Sequence, residues 1–260
     1  MKRTQWRSRQ MIKLGLVGEK LSHSQSPQIH AEIMKQKGIV GTYEILEFSR
    51  ETFARDFAAL KASDFRGVNI TIPYKESVIP LLDDISQQAK YIGAVNTVLF
   101  KDGLAKGFNT DYNGFLSLLD HNDVAVKGKS AVVLGSGGVA KAVVKGLLDL
   151  GIYDLTIVSR GKQNFHGNYT VSYEFFREAN VRSDLLINCT PVGMYPNTDV
   201  CPIPKECINA DTVIDMIYNP PKTLLLKYAK ELGLKAVNGS IMLKEQAFKA
   251  YDIWTGDEAV

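Results

Sequence analysis

The sequence predicts an α/β protein in two parts, a mixed-sheet α/β domain and then a doubly wound parallel one, and three observations carry that expectation. The first is Ser130 to Leu148, SAVVLGSGGVAKAVVKGLL, where an apolar run breaks into glycines and then into a helical stripe. Apolar residues without alternation mark a strand covered on both faces. The second is the strand and helix patterning that continues beyond it, the βαβ alternation of a doubly wound sheet over 108–237. The third is Asp102-Gly103 between two apolar segments, a hairpin signal that makes the earlier sheet mixed.

In chain order, Lys13 to Gly18 reads as a strand ending in glycine, and the polar loop EKLSHSQSP follows. Ser26 reads as the N-cap of a helix with Pro27 just inside it, running to about Lys37 before Gly38. Thr42 to Phe48 is a strand, Thr52 to Lys61 an amphipathic helix, and Gly67 to Ile72 a strand that Pro73 stops. Helical stretches are expected at Lys75 to Leu82 and Ile85 to Ile92, then strands Val95 to Lys101 and Leu104 to Gly107. A helix from about Asp111 to Asp120 leads into the glycine element. Later strands are expected at Leu155 to Val158, Tyr169 to Val171, Leu185 to Asn188, Val213 to Met216 and Ala236 to Val237. The last helix, Ile241 to about Trp254, carries Leu243, Ala247, Ala250 and Trp254 along one face, and periodicity does not name its partner.

Composition narrows the function classes. With 45% hydrophobic and 23% charged residues over 260, the chain is an ordinary soluble globular one with room for two modest domains. The net charge is +3, yet the first ten residues, MKRTQWRSRQ, hold four basic side chains and no acid, which leaves the rest at −1. Such a body has no electrostatic footprint for nucleic acid. Cys189, Cys201 and Cys207 are an odd number without a C-x-x-C, so neither a disulfide framework nor a zinc site is expected. No apolar run reaches the ~18 residues of a membrane span, and the run after the basic leader is interrupted by Lys13 with no small-residue cleavage site. A cytoplasmic protein is expected, with residues 1–10 a leader or tag and Met11 an alternative start.

The glycines bring the first chemistry. Gly135, Ser136, Gly137, Gly138 and Val139 run G-x-G-G-x before Ala140, between the strand and a helix whose small-to-apolar stripe faces the sheet. A tight turn needs the first glycine, and close approach of a pyrophosphate to the backbone needs the second. Free N–H groups at the helix start then face an anion. The plain alternative is a strand-to-helix connection with no ligand, and the flanking strand and helix favour dinucleotide binding over it. Where an acid would hold the ribose 2′-hydroxyl of NAD, the second strand ends in VSRGK, with Arg160 and Lys162. A guanidinium suits a 2′-phosphate, so NADP is favoured, whereas Lys162 by itself reads as a solvated basic residue.

Four polar clusters in the first part stand out: Ser24 and Ser26 in SHSQSP, Asn69, Thr71 and Lys75 in NITIPYK, Asn96 in GAVNT, and Asp111 in NTD. Taken singly, Ser26 is an N-cap and Asp111 a helix-start residue. Together, hydroxyls and amides converging with one lysine and one aspartate suit a small polyhydroxylated substrate better than metal-assisted chemistry.

These segments, in this order, resemble shikimate dehydrogenases. The motifs that carry the resemblance are GEKLSHSQSP, NITIPYK, GAVNT, NTD, GSGGVA, NCTPVGM, DMIYNP and GSIMLKEQ, spread over residues 11 to about 250. The resemblance implies NADPH-dependent, reversible reduction of 3-dehydroshikimate to shikimate in aromatic amino-acid biosynthesis. It implies a substrate domain of 11–107 with 238–260 and an NADP-binding Rossmann domain of 108–237, the C-terminal helix returning to the first. Residue by residue, it gives Ser24, Ser26 and Tyr218 to the substrate carboxylate, and Asn69, Thr71, Asn96 and Gln246 to the ring oxygens. Lys75 and Asp111 become the catalytic pair. Gly135, Ser136, Gly137, Gly138 and Val139 go to the pyrophosphate, Ser159 and Arg160 to the 2′-phosphate end, and Thr190, Met216 and Gly239 to the remaining cofactor.

The chain departs from the pattern in two places. Ser159-Arg160-Gly161 stands where many members have Asn-Arg-Thr, which removes two potential phosphate donors, and Glu19-Lys20 replaces the frequent Asn-Pro before the serines. Two alternatives stay open, a quinate/shikimate dehydrogenase of broader specificity and a non-catalytic NADP and shikimate sensor. Retention of both Lys75 and Asp111 favours an enzyme. The partner is a small-molecule substrate, with no nucleic acid and no membrane, and a homodimer is left open.

Overall fold

The computed structural model describes residues 11–22, 24–161 and 168–256, so the leader 1–10 and Lys162 lie outside it. The chain folds into two compact units, one built from the chain up to Thr110 together with the chain from Gln246, the other from Asp111–Glu245.

The first unit holds β1 (Ile12–Gly18), α1 (Ser26–Lys37), β2 (Gly41–Glu47), α2 (Phe53–Lys61), β3 (Phe65–Ile70), β4 (Asp84–Ile85), α3 (Gln87–Ile92), β5 (Thr97–Lys101) and β6 (Leu104–Phe108). Its sheet runs β2-β1-β3-β5-β6-β4 and is mixed, with β1 parallel to β2 and β3, and β5 antiparallel to β3 and β6. The hairpin turn forms as read, because Asp102 (φ 52°) and Gly103 (φ 77°) both adopt the positive φ that matches strand twist. Successive side chains of a strand face opposite ways. Val98 and Phe100 therefore join Val17, Phe53, Phe57 and Ile70 in one core, while Leu99 joins Leu14, Ile33, Tyr251 and Trp254 in the other.

Local expectations fail here where prolines and caps compete. Gln25, not Ser26, is the N-cap of α1, and no side chain caps that end. The Ser26 N–H is instead taken by Ser24 Oγ at 3.2 Å, a short-range bond that serines make in place of capping. The stretch 75–82 is turns followed by a 3-10 segment at Ile79–Leu81, where Pro80 removes a donor and opposes an α-helix. The stretch 85–92 starts as a strand, with Ile85 paired to Gly107, and becomes helical only after Ser86, whose hydroxyl accepts from Ala89 N–H at 3.2 Å.

The second unit holds α4 (Asp111–His121), β7 (Ser130–Leu134), α5 (Gly138–Asp149), β8 (Asp154–Val158), β9 (Tyr169–Val171), α6 (Tyr173–Ala179), β10 (Ser183–Asn188), β11 (Ala210–Asp215), α7 (Leu224–Glu231), β12 (Lys235–Asn238) and the start of α8 (Ser240–Thr255). All six strands are parallel in the order β12-β11-β10-β7-β8-β9, and the order reverses between β7 and β10. The apolar run of β7 is explained by cover on both faces. Ala131 and Val133 pack with Phe115, Val143 and Leu147, whereas Val132 and Leu134 pack with Phe176, Leu225 and Leu226.

The units divide at 110/111 and 245/246, against the expected 107/108 and 237/238. Thr110 N–H donates to Asn96 Oδ1 at 2.7 Å, which keeps 108–110 with the first unit. Asn238 and Gly239 bond to Pro221 and Ile217, which keeps the start of α8 with the second. From Gln246 onward α8 belongs to the first unit, burying Ala247, Ala250, Tyr251 and Trp254, and the Trp254 indole donates to the Val98 carbonyl at 2.9 Å.

Candidate active site

In the first unit a buried network of amides and hydroxyls ties together residues from four elements. Asn69, at the end of β3, accepts from the Tyr43 hydroxyl at 2.8 Å and donates from Nδ2 to the Asn96 carbonyl (3.2 Å) and Thr97 Oγ1 (3.1 Å). Both of its amide protons are thus engaged, and what remains to it is acceptor capacity. Asn96 is the hub. Its Nδ2 donates to Thr110 Oγ1 (3.0 Å) and to Gln246 Oε1 (2.8 Å), while its Oδ1 accepts from Thr97 Oγ1 and the Thr110 N–H. Gln246 therefore accepts through Oε1 and keeps Nε2 as its donor end.

The polar segments around this network are pinned by backbone bonds. Thr71 N–H donates to the Val17 carbonyl, and Tyr74 N–H to the Thr71 carbonyl, each at 2.9 Å. The Lys75 carbonyl accepts from Val95 N–H at 2.7 Å, so the lysine backbone is held beside the segment that carries Asn96. Lys75 itself is half-buried. The serine loop is fastened at two points: Leu21 N–H donates to Glu47 Oε1 at 2.6 Å, and Arg50 grips both carboxylate oxygens of Glu19 at 3.0 and 3.2 Å. Ser24 and Ser26 are both half-buried beyond those anchors.

In the second unit the glycine turn lies at the strand reversal, the place where open α/β sheets bind ligands. Gly135 adopts φ +101°, a conformation that favours glycine, and its N–H donates to the Val158 carbonyl at 2.8 Å. A side chain added at Gly137 would meet nothing within 4 Å, so the backbone in front of α5 opens on free space. Gly137 is the N-cap of that 12-residue helix, and its first turn holds no acid that would compete for an anion. Arg160 is exposed after β8, whereas Ser159 is buried with its hydroxyl donating to the Gly161 carbonyl.

On the β10 side of the reversal, Cys189 N–H donates to the Leu134 carbonyl at 2.9 Å, bringing Thr190 next to Gly135. Asn188 Oδ1 accepts from the Thr190 N–H (3.0 Å) and hydroxyl (2.7 Å). Asp215, wholly buried, accepts from Asn188 Nδ2 (3.0 Å), Ile217 N–H (3.1 Å) and Thr223 Oγ1 (2.7 Å). Removal from water outweighs those bonds and pushes the Asp215 carboxyl up to about 6. Burial also raises the Cys189 thiol and the Tyr218 phenol, so both stay protonated at neutral pH. Asp111 is buried in the first turn of α4. Met216 N–H donates to the Asn188 carbonyl at 2.9 Å, and Gly239 N–H to the Ile217 carbonyl at 3.3 Å.

Of the expected residues, the first unit carries Ser24, Ser26, Asn69, Thr71, Lys75, Asn96 and Gln246, and bonds Asn69, Asn96 and Gln246 into one network. The second carries Asp111, Tyr218 and all the cofactor residues. Sequence reading assigned no role to Tyr43, Thr97, Thr110, Glu47, Asn188 or Asp215, although Asn188 and Asp215 open the quoted motifs NCTPVGM and DMIYNP. Thr97 and Thr110 stood inside GAVNT and NTD, and Asp215 had a signal of its own, an acid closing the apolar strand ADTVID. Tyr43 and Glu47 had none, since their partners lie on other elements. Among the described residues, no group of three or more His, Cys, Asp or Glu is arranged to hold a metal.

Comparison with known proteins places these features in one family. The sequence model of the shikimate dehydrogenase substrate binding domain matches residues 16–98. The shikimate dehydrogenase (NADP(+)) of Clostridium beijerinckii is 43% identical over 244 residues, covering 92% of this chain and 90% of the relative. Shikimate dehydrogenase 1 from Peptoclostridium difficile superposes with a TM-score of 0.92 at 41% identity, over 96% of this chain and 93% of that one. The shikimate 5-dehydrogenase of Thermus thermophilus, solved with NADP(H) and shikimate, does so with a TM-score of 0.85 at 35% identity, over 95% and 94%.

Proposed function

The chain belongs to the shikimate dehydrogenase family, and from that premise we propose how its residues divide the work. It is an NADP-dependent oxidoreductase that interconverts 3-dehydroshikimate and shikimate. NADPH supplies the hydride. Hydride arriving at a ketone carbon leaves negative charge on the oxygen, which must gain a proton. Lys75, whose ammonium carries donors only, stabilises that charge and delivers the proton. Asp111 is its carboxylate partner, orienting the ammonium and accepting from a substrate hydroxyl.

Ser24, Ser26 and Tyr218 take the substrate carboxylate as hydroxyl donors, and the protonated state of the Tyr218 phenol suits that role. Thr71 and the donor end of Gln246 take ring oxygens, while Asn69, with its protons engaged, receives a ring hydroxyl. Asn96 holds Gln246 in the required orientation. Gly135, Ser136, Gly137, Gly138 and Val139 cradle the pyrophosphate, with Thr190, Met216 and Gly239 along the rest of the cofactor. Arg160 reads the 2′-phosphate, and because the Ser159 proton is engaged by Gly161 the preference for NADP rests on that guanidinium. The domain roles follow, substrate to the first unit and NADP to the second. A cytoplasmic setting with small molecules as partners completes the reading, and no described helix is long and apolar enough to cross a membrane.

The observation that carries the site is the single network joining Asn69, Asn96 and Gln246, residues far apart in the chain. The test is absorbance at the nicotinamide band on mixing protein, shikimate and NADP, repeated with NAD and with quinate. A linear rise that needs the protein and is fastest with NADP and shikimate is expected. A flat trace accompanied by measurable binding would make the protein a sensor, and equal rates with quinate would make it the broader enzyme.

A further inference from the structure

We propose that Asp215 and Asn188 are positioning residues for the cofactor loop, and that they set the place of Thr190 through the direction of their hydrogen bonds. The proposal rests on the reading of Thr190 as a cofactor contact.

A carboxylate only accepts, so the end of the Asn188 amide that faces Asp215 must be the NH2 end. That bond is present at 3.0 Å. The amide is planar, and its carbonyl is then turned the other way, onto the Thr190 N–H and hydroxyl at 3.0 and 2.7 Å. With its proton spent on Asn188, Thr190 Oγ1 accepts from Val192 N–H at 3.2 Å. Direction thus passes from the acid to the amide to the loop, and no step can reverse while Asp215 is ionised. The same carboxylate holds Ile217 N–H, so the departures of both β10 and β11 are fixed by one group.

Stability alone gives no reason for an acid at this position. Asp215 is fully buried, and among the described residues its hydrogen bonds come from an amide, a backbone N–H and a hydroxyl, none of them a cation. A neutral residue of similar size would avoid the desolvation cost. What a neutral residue lacks is an obligate acceptor.

In Asp215→Asn either amide is able to flip, and Thr190 loses its assured partner. NADPH affinity, read by titration of cofactor fluorescence, is expected to fall about 5- to 20-fold, the value of one or two hydrogen bonds. Shikimate KM is expected to stay within about twofold, and the melting temperature to change little. Thr190→Ala is expected to give a similar loss, and the double variant no more than either alone, since residues in one network do not add. Leu225→Ala opens the packing of α7 without touching any donor to Asp215 and so lowers stability, yet leaves NADPH affinity unchanged, which a merely structural role for the cluster would not do. If Asp215→Asn does not fold, Asn188→Ala puts the same question with the same expected loss. Full NADPH affinity in a folded variant, or losses that add to that of Thr190→Ala, overturns the proposal and leaves the NADP reading standing. A native protein that does not bind NADPH overturns both.

Discussion

In the first unit the buried polar groups are neutral. Asn69, Asn96, Thr97 and Thr110 satisfy one another with amides and hydroxyls, and the buried ring beside them, His30, is stacked on Tyr43 at 3.8 Å with its Nδ1 lacking a partner among the described residues. In the second unit an equally buried set gathers around the carboxylate of Asp215. The neutral set can share protons in more than one pattern, since hydroxyls both give and accept, as the Thr97 and Thr110 pair shows at 3.2 Å. The charged set has one pattern only. A surface that must follow a ketone and its alcohol benefits from the first, and a loop that must hold a large dinucleotide in one pose benefits from the second.

Four experiments would break or sharpen that contrast, and the largest effect falls on the neutral side, where the proton is handled. Lys75→Ala is expected to lower kcat by roughly 10²-fold or more with little change in KM, the range of a lost general acid. Steady-state rates check it, and unchanged turnover would remove Lys75 from the chemistry.

Next come the two hubs themselves. Asn96→Ala strands the partners of a buried amide and is expected to cost about 3 kcal/mol in urea unfolding. Asp215→Asn, which removes a charge that burial disfavours, is expected to cost under about 1 kcal/mol. Equal losses would erase the distinction between the hubs.

Acid separates the units by sign. Burial lowers His30 from its ordinary 6.5 to about 3, so its contribution is present above pH 6.5 and lost as pH falls toward 3. Asp215 is raised from 3.8 to about 6, so its contribution is present below pH 3.8 and lost as pH rises through about 6. Between pH 6 and 4 the two oppose each other. His30→Phe, which keeps the stack on Tyr43, is expected to flatten the loss of stability over that window, and Asp215→Asn to steepen it. Urea midpoints at pH 7, 6, 5 and 4 provide the check, and the same slope in both variants would contradict the signs.

The smallest expected effect on the enzyme kinetics lies at the exposed rim of the charged side. Arg160→Ala is expected to raise the KM for NADP about tenfold, one lost charge-assisted contact, with the KM for NAD nearly unchanged. A parallel rise for both cofactors would take the 2′-phosphate away from Arg160.

How much was legible depended on the range of the forces involved. The strand, glycine turn and helix at 130–149 were read with nearly their true ends, because apolar runs, turn glycines and a helical stripe are decided by neighbours within a few positions. The same range explains the errors. Ser26 gave way to Gln25 as the N-cap of α1, its own N–H taken by Ser24, and the helix expected from Ile85 waited for Ser86, because several residues of capping type lay close together and only the folded backbone chose among them. Ser24, Lys75 and Asp111 were legible as candidates because their motifs are local, yet nothing in those motifs said that Asn96 would bond to Gln246, 150 positions away.

The sequence by itself determined most of the strands and helices, that one sheet is mixed and the other parallel, and which short segments carry hydroxyl, amide, lysine and aspartate groups. Only the tertiary structure decided the order β12-β11-β10-β7-β8-β9, which sets Thr190 beside Gly135, and the choice of hydrogen-bond partner for every buried amide. The reason is physical. Periodicity and turn chemistry are properties of adjacent residues, whereas the donor that a buried Asp215 meets depends on which strand comes to lie next to β11.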